Sequence, residues 1–160
     1  MVGYKVCWNR GLDENMRKTY TKFSLVTLEI PDCAKVIYPF HSNKIRCDMA
    51  KVRDIQEIRF GVFRPLVVTD KRLKATHSCF HSTEFEYKVG EYVKPTRPLD
   101  TNPKYECTAG IHFFATKKET LWFLAQYTTL YVGCLEDFTF DSHDLFRMKI
   151  YLKLHSRRKG

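Results

Sequence analysis

Apolar and polar positions alternate in short runs along most of the chain, a period of two that predicts β-strands. The cleanest run is 146–154. Its even positions are Phe146, Met148, Ile150, Leu152 and Leu154, and its odd ones carry Arg147, Lys149, Tyr151 and Lys153. One face of such a strand packs and the other meets solvent. Over 20–30, Val26, Leu28 and Ile30 share one parity and Thr27 and Glu29 the other, and Pro31 stops the run. Shorter strands are predicted at 4–8 and 35–38, and a broken one at 129–140 around Gly133; over 45–58 the positions of Cys47, Ala50, Val52, Ile55 and Ile58 fit a helix or a strand, and strand is the favoured reading for 51–58. The apolar stretch 60–68 is interrupted by Pro65, which fits an edge strand or two pieces. Phe85, Tyr87 and Val89 alternate with charges, and Gly90-Glu91 can turn the chain into 92–93. Segments 9–18, 69–77 and 94–104 read as connections. The first is polar around Gly11, the second is basic, and the third holds Pro95, Pro98 and Pro103.

The period changes convincingly once. After Gly110, residues 111–115 form a short apolar run that reads as a buried central strand. Thr116 and Glu119 then have the spacing of a capping box, in which the threonine oxygen accepts from the Glu119 amide and the glutamate reaches back. Leu121, Leu124 and Ala125, with Trp122 beside them, give the following helix its apolar face. The expected fold class is therefore α+β: a single β-rich domain over 1–155, mostly antiparallel sheet, with one main helix at about 116–128. Residues 156–160 form a basic tail, and the proline loop 94–104 is the first place to look for any division.

The length of 160 residues and a 44% share of hydrophobic residues suffice for one domain with a real core. Twelve Phe and nine Tyr favour strands. No apolar run is long enough to cross a bilayer as a helix. Neither a secretion signal nor a myristoylation glycine is expected at the N-terminus. The six cysteines are dispersed, which predicts reduced thiols that are mostly buried rather than a disulfide framework.

A formal charge of +9 favours an acidic partner: nucleic acid, an anionic lipid surface or an acidic protein face. The partner-binding residues expected are Arg147, Lys149 and Lys153 on the last strand and Arg157, Arg158 and Lys159 in the tail, with Tyr151 available for stacking on a nucleic acid. A solvated strand face and tail account for the same charges, since no recognition motif accompanies them.

Candidate chemistry is sparse. On a strand, His77, Cys79 and His81 would share a face, and sulfur with imidazole suits zinc. No second Cys-x-x-Cys half exists, so a buried cysteine between two surface histidines fits the same spacing. Glu84 with Glu86, and Glu136 with Asp137, read as solvated pairs. No catalytic residue, cofactor or metal is expected, and the chain is read as non-enzymatic.

Three segments carry a resemblance. They are Leu25-Val26-Thr27-Leu28-Glu29-Ile30-Pro31 with Cys47 and Ala50-Lys51-Val52 downstream, then Tyr87-Lys88-Val89-Gly90-Glu91, then Glu106-Cys107 followed by Gly110-Ile111-His112-Phe113-Phe114. In that order they resemble the uncharacterised domain encoded by large double-stranded DNA viruses of eukaryotes and often found beside pentapeptide repeats. No such repeats follow here; a β-rich stretch over 129–154 stands in their place. The resemblance implies a viral setting. A small, basic, cofactor-free protein there would be a minor capsid component that bridges other capsid proteins, in the virion and in the host cytoplasm during assembly.

The Gly-Ile-His-Phe strand and its capped helix are also similar to ADP-ribosyltransferase-like folds, with 4–6 as the first strand. That likeness implies contacts to NAD from His112 and Tyr127, and it places no glutamate. The ordinary reading of His112 is a polar residue on a mostly buried strand, hydrogen-bonded to a neighbour.

Overall fold

Two long strands set the frame. In the computed structural model, which describes residues 1–12, 18–59, 67–78 and 85–124, β1 (Val2–Leu12) pairs antiparallel with β2 (Lys18–Glu29). The polar stretch expected to be a loop over 9–18 is thus strand up to Leu12 and again from Lys18. Backbone pairing runs on as far as Leu12 opposite Lys18, with a bulge between Asn9 and Arg10. β2 pairs in turn with β5 (Ala50–Arg59), and β5 with β6 (Val67–Arg72).

The segment 69–77, expected to be a connector, holds β6 and β7 (Ala75–Ser78). Only Leu73 and Lys74 separate them. β6 lies on β5, whereas β7 pairs with β1 at Cys7 and Trp8. The Leu73 amide donates to the Ile55 carbonyl at 2.9 Å, which carries the β5 pairing up to the bend. β1, β2, β5 and the bent β6–β7 segment therefore close a ring, a small barrel rather than an open sheet. Binary pattern hid this segment because its one fully buried residue is polar. Thr76 turns inward, and its Oγ1 lies 2.7 Å from Oγ of the equally buried Ser24.

β8 (Glu86–Lys88) pairs with β7, and β9 (Tyr92–Val93) pairs with β5. The turn at Gly90 exists, with φ +88°, but β8 and β9 are not partners of each other. The link spans the gap left where β6–β7 bends away. The Val89 amide donates to the Lys74 carbonyl at 3.0 Å, and Val52 exchanges bonds with Gly90 and Glu91 at 2.8 and 2.9 Å.

The barrel core follows from strand parity. Cys7, Val26, Leu28, Val52 and Ile55 all point inward and are buried. A second sheet closes one end, with β10 (Ile111–Phe113) on β4 (Ile45–Cys47) and β4 on β3 (Val36–Ile37). Its Ile45, Cys47, Ile111 and Phe113 join the same apolar cluster. β10, expected to be central, is an edge of this smaller sheet. Beyond it, Phe114 exchanges backbone bonds with Tyr4 of β1 at 2.8 and 2.9 Å, so the segment is the seam between the two sheets.

The helix α1 starts at 117 and is described as far as 124. Half of the predicted capping box forms: the Glu119 amide donates to Thr116 Oγ1 at 3.2 Å, while Glu119 Oε2 has no hydrogen-bond partner. The buried face centres on Thr120 and Leu124, with Trp122 46% exposed. No helix among the described residues is long and apolar enough to cross a membrane. The observed architecture is the expected β-rich α+β type with a mostly antiparallel sheet. The strands expected at 129–140 and 146–154 lie outside the described residues.

Candidate functional site

β1 has one outer edge and two partners for it. Tyr4 pairs with Phe114, and Cys7 pairs with Ser78 of β7. Between those contacts β1 passes from one partner to the other, and there a cleft of about 200 Å³ lined by Lys5 and Val6 opens. On one side stand Phe85 and Tyr87, rings 5.1 Å apart and edge-on. On the other stand Phe114 and Phe123, rings 5.2 Å apart. Pro95, Thr96 and Arg97 form one rim, and 107–112 the floor.

The floor is held by one buried side chain. Arg46 of β4 is fully buried and points into the proline loop. Its Nη1 donates to the Tyr105 carbonyl, and its Nη2 to the carbonyls of Asp100 and Asn102 at 3.0 and 2.9 Å. Asp100 completes the fold of this loop by accepting from the Asn102 amide at 2.9 Å and the Thr108 hydroxyl at 2.8 Å. Those two bonds hold its carboxyl below the usual range. Gly110 ends the loop with φ +145°, and a Cβ there would stand 2.7 Å from Leu99 Cδ1. Only glycine meets both conditions.

Three cations line the cleft. Lys5 shares the inward parity of Gly3 and Cys7, so its stem runs along the core and its ammonium emerges over the Tyr87 ring, 5.9 Å from the centroid. Lys44 stands 4.9 Å over the Phe123 ring, with its Nζ 3.7 Å from Cys107 Sγ. Arg97 is exposed at the rim. No carboxylate is among the described lining residues. Glu106, next to the lining residue Cys107, takes a hydrogen bond from Ser42 Oγ at 3.0 Å.

His112 reports the local potential. Burial first, and then the charges of Lys5 and Lys44, push its pKa down to about 3. The ring is therefore neutral at ordinary pH. Its Nε2 lies 3.2 Å from the Glu106 carbonyl, which can only accept, so Nε2 carries the proton. This is the ordinary reading of His112 made concrete, except that the ring also lines the cleft. The thiols of Cys7 and Cys47 are pushed up to about 12, chiefly by burial, and are inert as nucleophiles. Cys33 and Cys107 are exposed, so of the four described cysteines only two fit the expectation of burial.

The structure brings few of the predicted site residues together. Arg147, Lys149, Lys153, Arg157, Arg158 and Lys159 lie outside the described residues, as do Tyr127 and Tyr151. So do Cys79 and His81 of the zinc candidate. His77 is described, and its Nε2 sits 3.4 Å from Glu86 Oε2. Among the described residues no group of three or more metal-ligating side chains forms. The cleft residues Lys5, Lys44 and Arg97 were not expected. The sequence signal for Lys5 is its parity, a lysine between Gly3 and Cys7 on the face that packs. Lys44 and Arg97 are joined to it only by long-range pairing.

A model of a family of unknown function, DUF5758, matches residues 1–120. An uncharacterized protein of Acanthamoeba polyphaga mimivirus is 33% identical over 109 residues, which cover 67% of this chain and 66% of the relative. The chain thus spans about two thirds of the length of that curated relative. No solved structure matches the chain at a significant level. These findings agree with the resemblance to an uncharacterised domain of large DNA viruses.

Proposed function

The chain belongs to the family of unknown function DUF5758, and from that premise we propose that it is a non-catalytic interaction protein of a large DNA virus that grips an acidic partner through the cleft beside His112. The observation that carries this reading is the convergence of Lys5, Lys44 and Arg97 on a cleft with no carboxylate among its described lining residues. Unneutralised cations around a concave, aromatic-walled surface favour an anionic group by several tenths to a few kcal/mol each, more where water is excluded. The non-catalytic part draws support from His112. Its very low proton affinity makes it a poor general base near neutral pH, and its Nε2 is tied to a backbone carbonyl.

The finer form of the proposal seats the protein in the virus particle, as a minor component bridging capsid proteins. The viral relative and the charge of +9 support that setting. Mass spectrometry of purified, protease-stripped particles tests it. The protein is expected to copurify with intact particles and to give lysine-directed crosslinks from Lys5 or Lys44 to an acidic neighbour. Its absence from particles sinks the capsid role. A charge-independent interaction, unaltered between 50 mM and 500 mM salt on the order of a Debye-length change of about 14 to 4 Å, sinks the acidic-partner role.

A further inference from the structure

The chemistry of the acidic group follows from how the cations are held. Lys5 and Lys44 rest on aromatic rings, Tyr87 and Phe123, rather than on carboxylates. Such contacts position an ammonium without cancelling its charge. Arg97 adds a third charge from a different segment. A carboxylate would neutralise one of three. A phosphate monoester carries about −1.5 to −2 charges near neutral pH and three acceptor oxygens, which suits three cationic donors supplied by separate segments. Lysine ammoniums, as compact point charges with three donors each, accept a tetrahedral anion without the planar match that an arginine fork demands. The cleft volume of about 200 Å³ is below the roughly 300–1,000 Å³ that encloses a drug-sized ligand. It therefore takes one end of a ligand and leaves the rest outside.

We propose that the cleft formed by Lys5, Lys44 and Arg97, where β1 passes from Phe114 to β7, is a binding site for a terminal phosphate monoester. This rests on the reading above that the cleft receives an acidic group. Two sources share the chemistry: a free nucleoside monophosphate and the 5′-phosphate end of a nucleic-acid strand.

Calorimetric titration tests it with AMP, adenosine, inorganic phosphate, a short oligonucleotide with and without its 5′-phosphate, and poly-glutamate, all at low salt. AMP is expected to bind at least tenfold more tightly than adenosine, and the phosphorylated oligonucleotide more tightly than its hydroxyl form. The double variant Lys5→Gln/Lys44→Gln should abolish that preference. Arg97→Gln, exposed and remote from the core, should reduce it several-fold even if the double variant folds poorly. Lys117→Gln, whose ammonium lies over Tyr4 outside the cleft, should leave it unchanged. If the oligonucleotide outcompetes AMP, the source is a strand end; if AMP wins, it is a free nucleotide. Equal binding of AMP and adenosine, or AMP binding untouched by both variants, overturns the proposal. Should poly-glutamate bind as tightly as AMP, the phosphate site fails while the acidic-partner reading stands. Should none of the anions bind, both fail.

Discussion

Gly3 is glycine because Phe113 occupies the place a side chain would need: a Cβ built there overlaps the Phe113 ring. Its backbone is ordinary strand, so the constraint is space rather than dihedral angle. Gly3→Ala should cost about 1–3 kcal/mol by overpacking, read from the urea midpoint. In a double-mutant cycle with Phe113→Leu the two costs should fall short of their sum, because the smaller ring relieves the clash. Strict additivity would show that the two residues do not meet.

His112 makes a second prediction at the same scale. Its folded pKa, about 3, lies below the ordinary 6.5. As pH falls through 6.5 the unfolded chain takes up a proton that the folded chain refuses until about 3. Stability should therefore drop across that window and stay level above it. Carboxylates such as Asp100 push in the same direction, so the comparison is with His112→Gln, which keeps a donor for the Glu106 carbonyl. The variant should lose less stability than the parent between pH 7 and 4.5, and parallel losses would remove the argument. The burial of this histidine was legible, since the apolar run around it reads as a buried strand. The lysines that depress its pKa further were not, because Lys44 stands 68 residues from His112 in sequence and comes beside it only through the pairing of β4 with β10, which no local pattern carries.

At the scale of elements, β4 exists to deliver Arg46. Ile45 and Cys47 face the apolar cluster while the guanidinium between them crosses into the proline loop and organises three carbonyls. Arg46→Met keeps the volume and removes the donors, leaving buried acceptors unpaired at a cost of at least about 2 kcal/mol. The amides of Asp100, Asn102 and Tyr105, which bond within that loop, should exchange hydrogen faster in the variant, while those joining β1 to β2 keep their rates. Uniform acceleration would mean that Arg46 stabilises the whole fold rather than this loop.

An element with a clean alternation, such as β2, was legible from the sequence, as was the cap before α1; β5 was less so, because the irregularity opposite Thr27 and Leu28 spaces its buried Val52, Ile55 and Ile58 by three, as a helix would. β6 and β7 were not. Their charges face solvent, and their inward residue, Thr76, is satisfied by a hydroxyl across the barrel, so polarity stopped signalling exposure. The turn at Gly90 was legible as a turn, but turn chemistry does not say which strands the two arms will join.

The whole molecule depends on ring closure at the β6–β7 bend. A six-strand row with open ends would leave β6 and β8 as edges, each able to open alone. Closure joins the two sides of the β5–β2–β1 row through the β6–β7 bend, and between Tyr4 and Cys7 β1 passes from one partner to another. Hydrogen exchange at increasing, sub-denaturing urea distinguishes the two topologies. In a closed ring the amides of Leu73, Val52 and Gly90, which join β5 to the bend and to the β8–β9 link, open together with Val26 in the core of β2, with one shared dependence on urea. In an open row, Leu73 and Gly90 exchange at low urea with little slope while Val26 stays protected. The second outcome would undo the barrel, and with it the reason the cleft sits where it does.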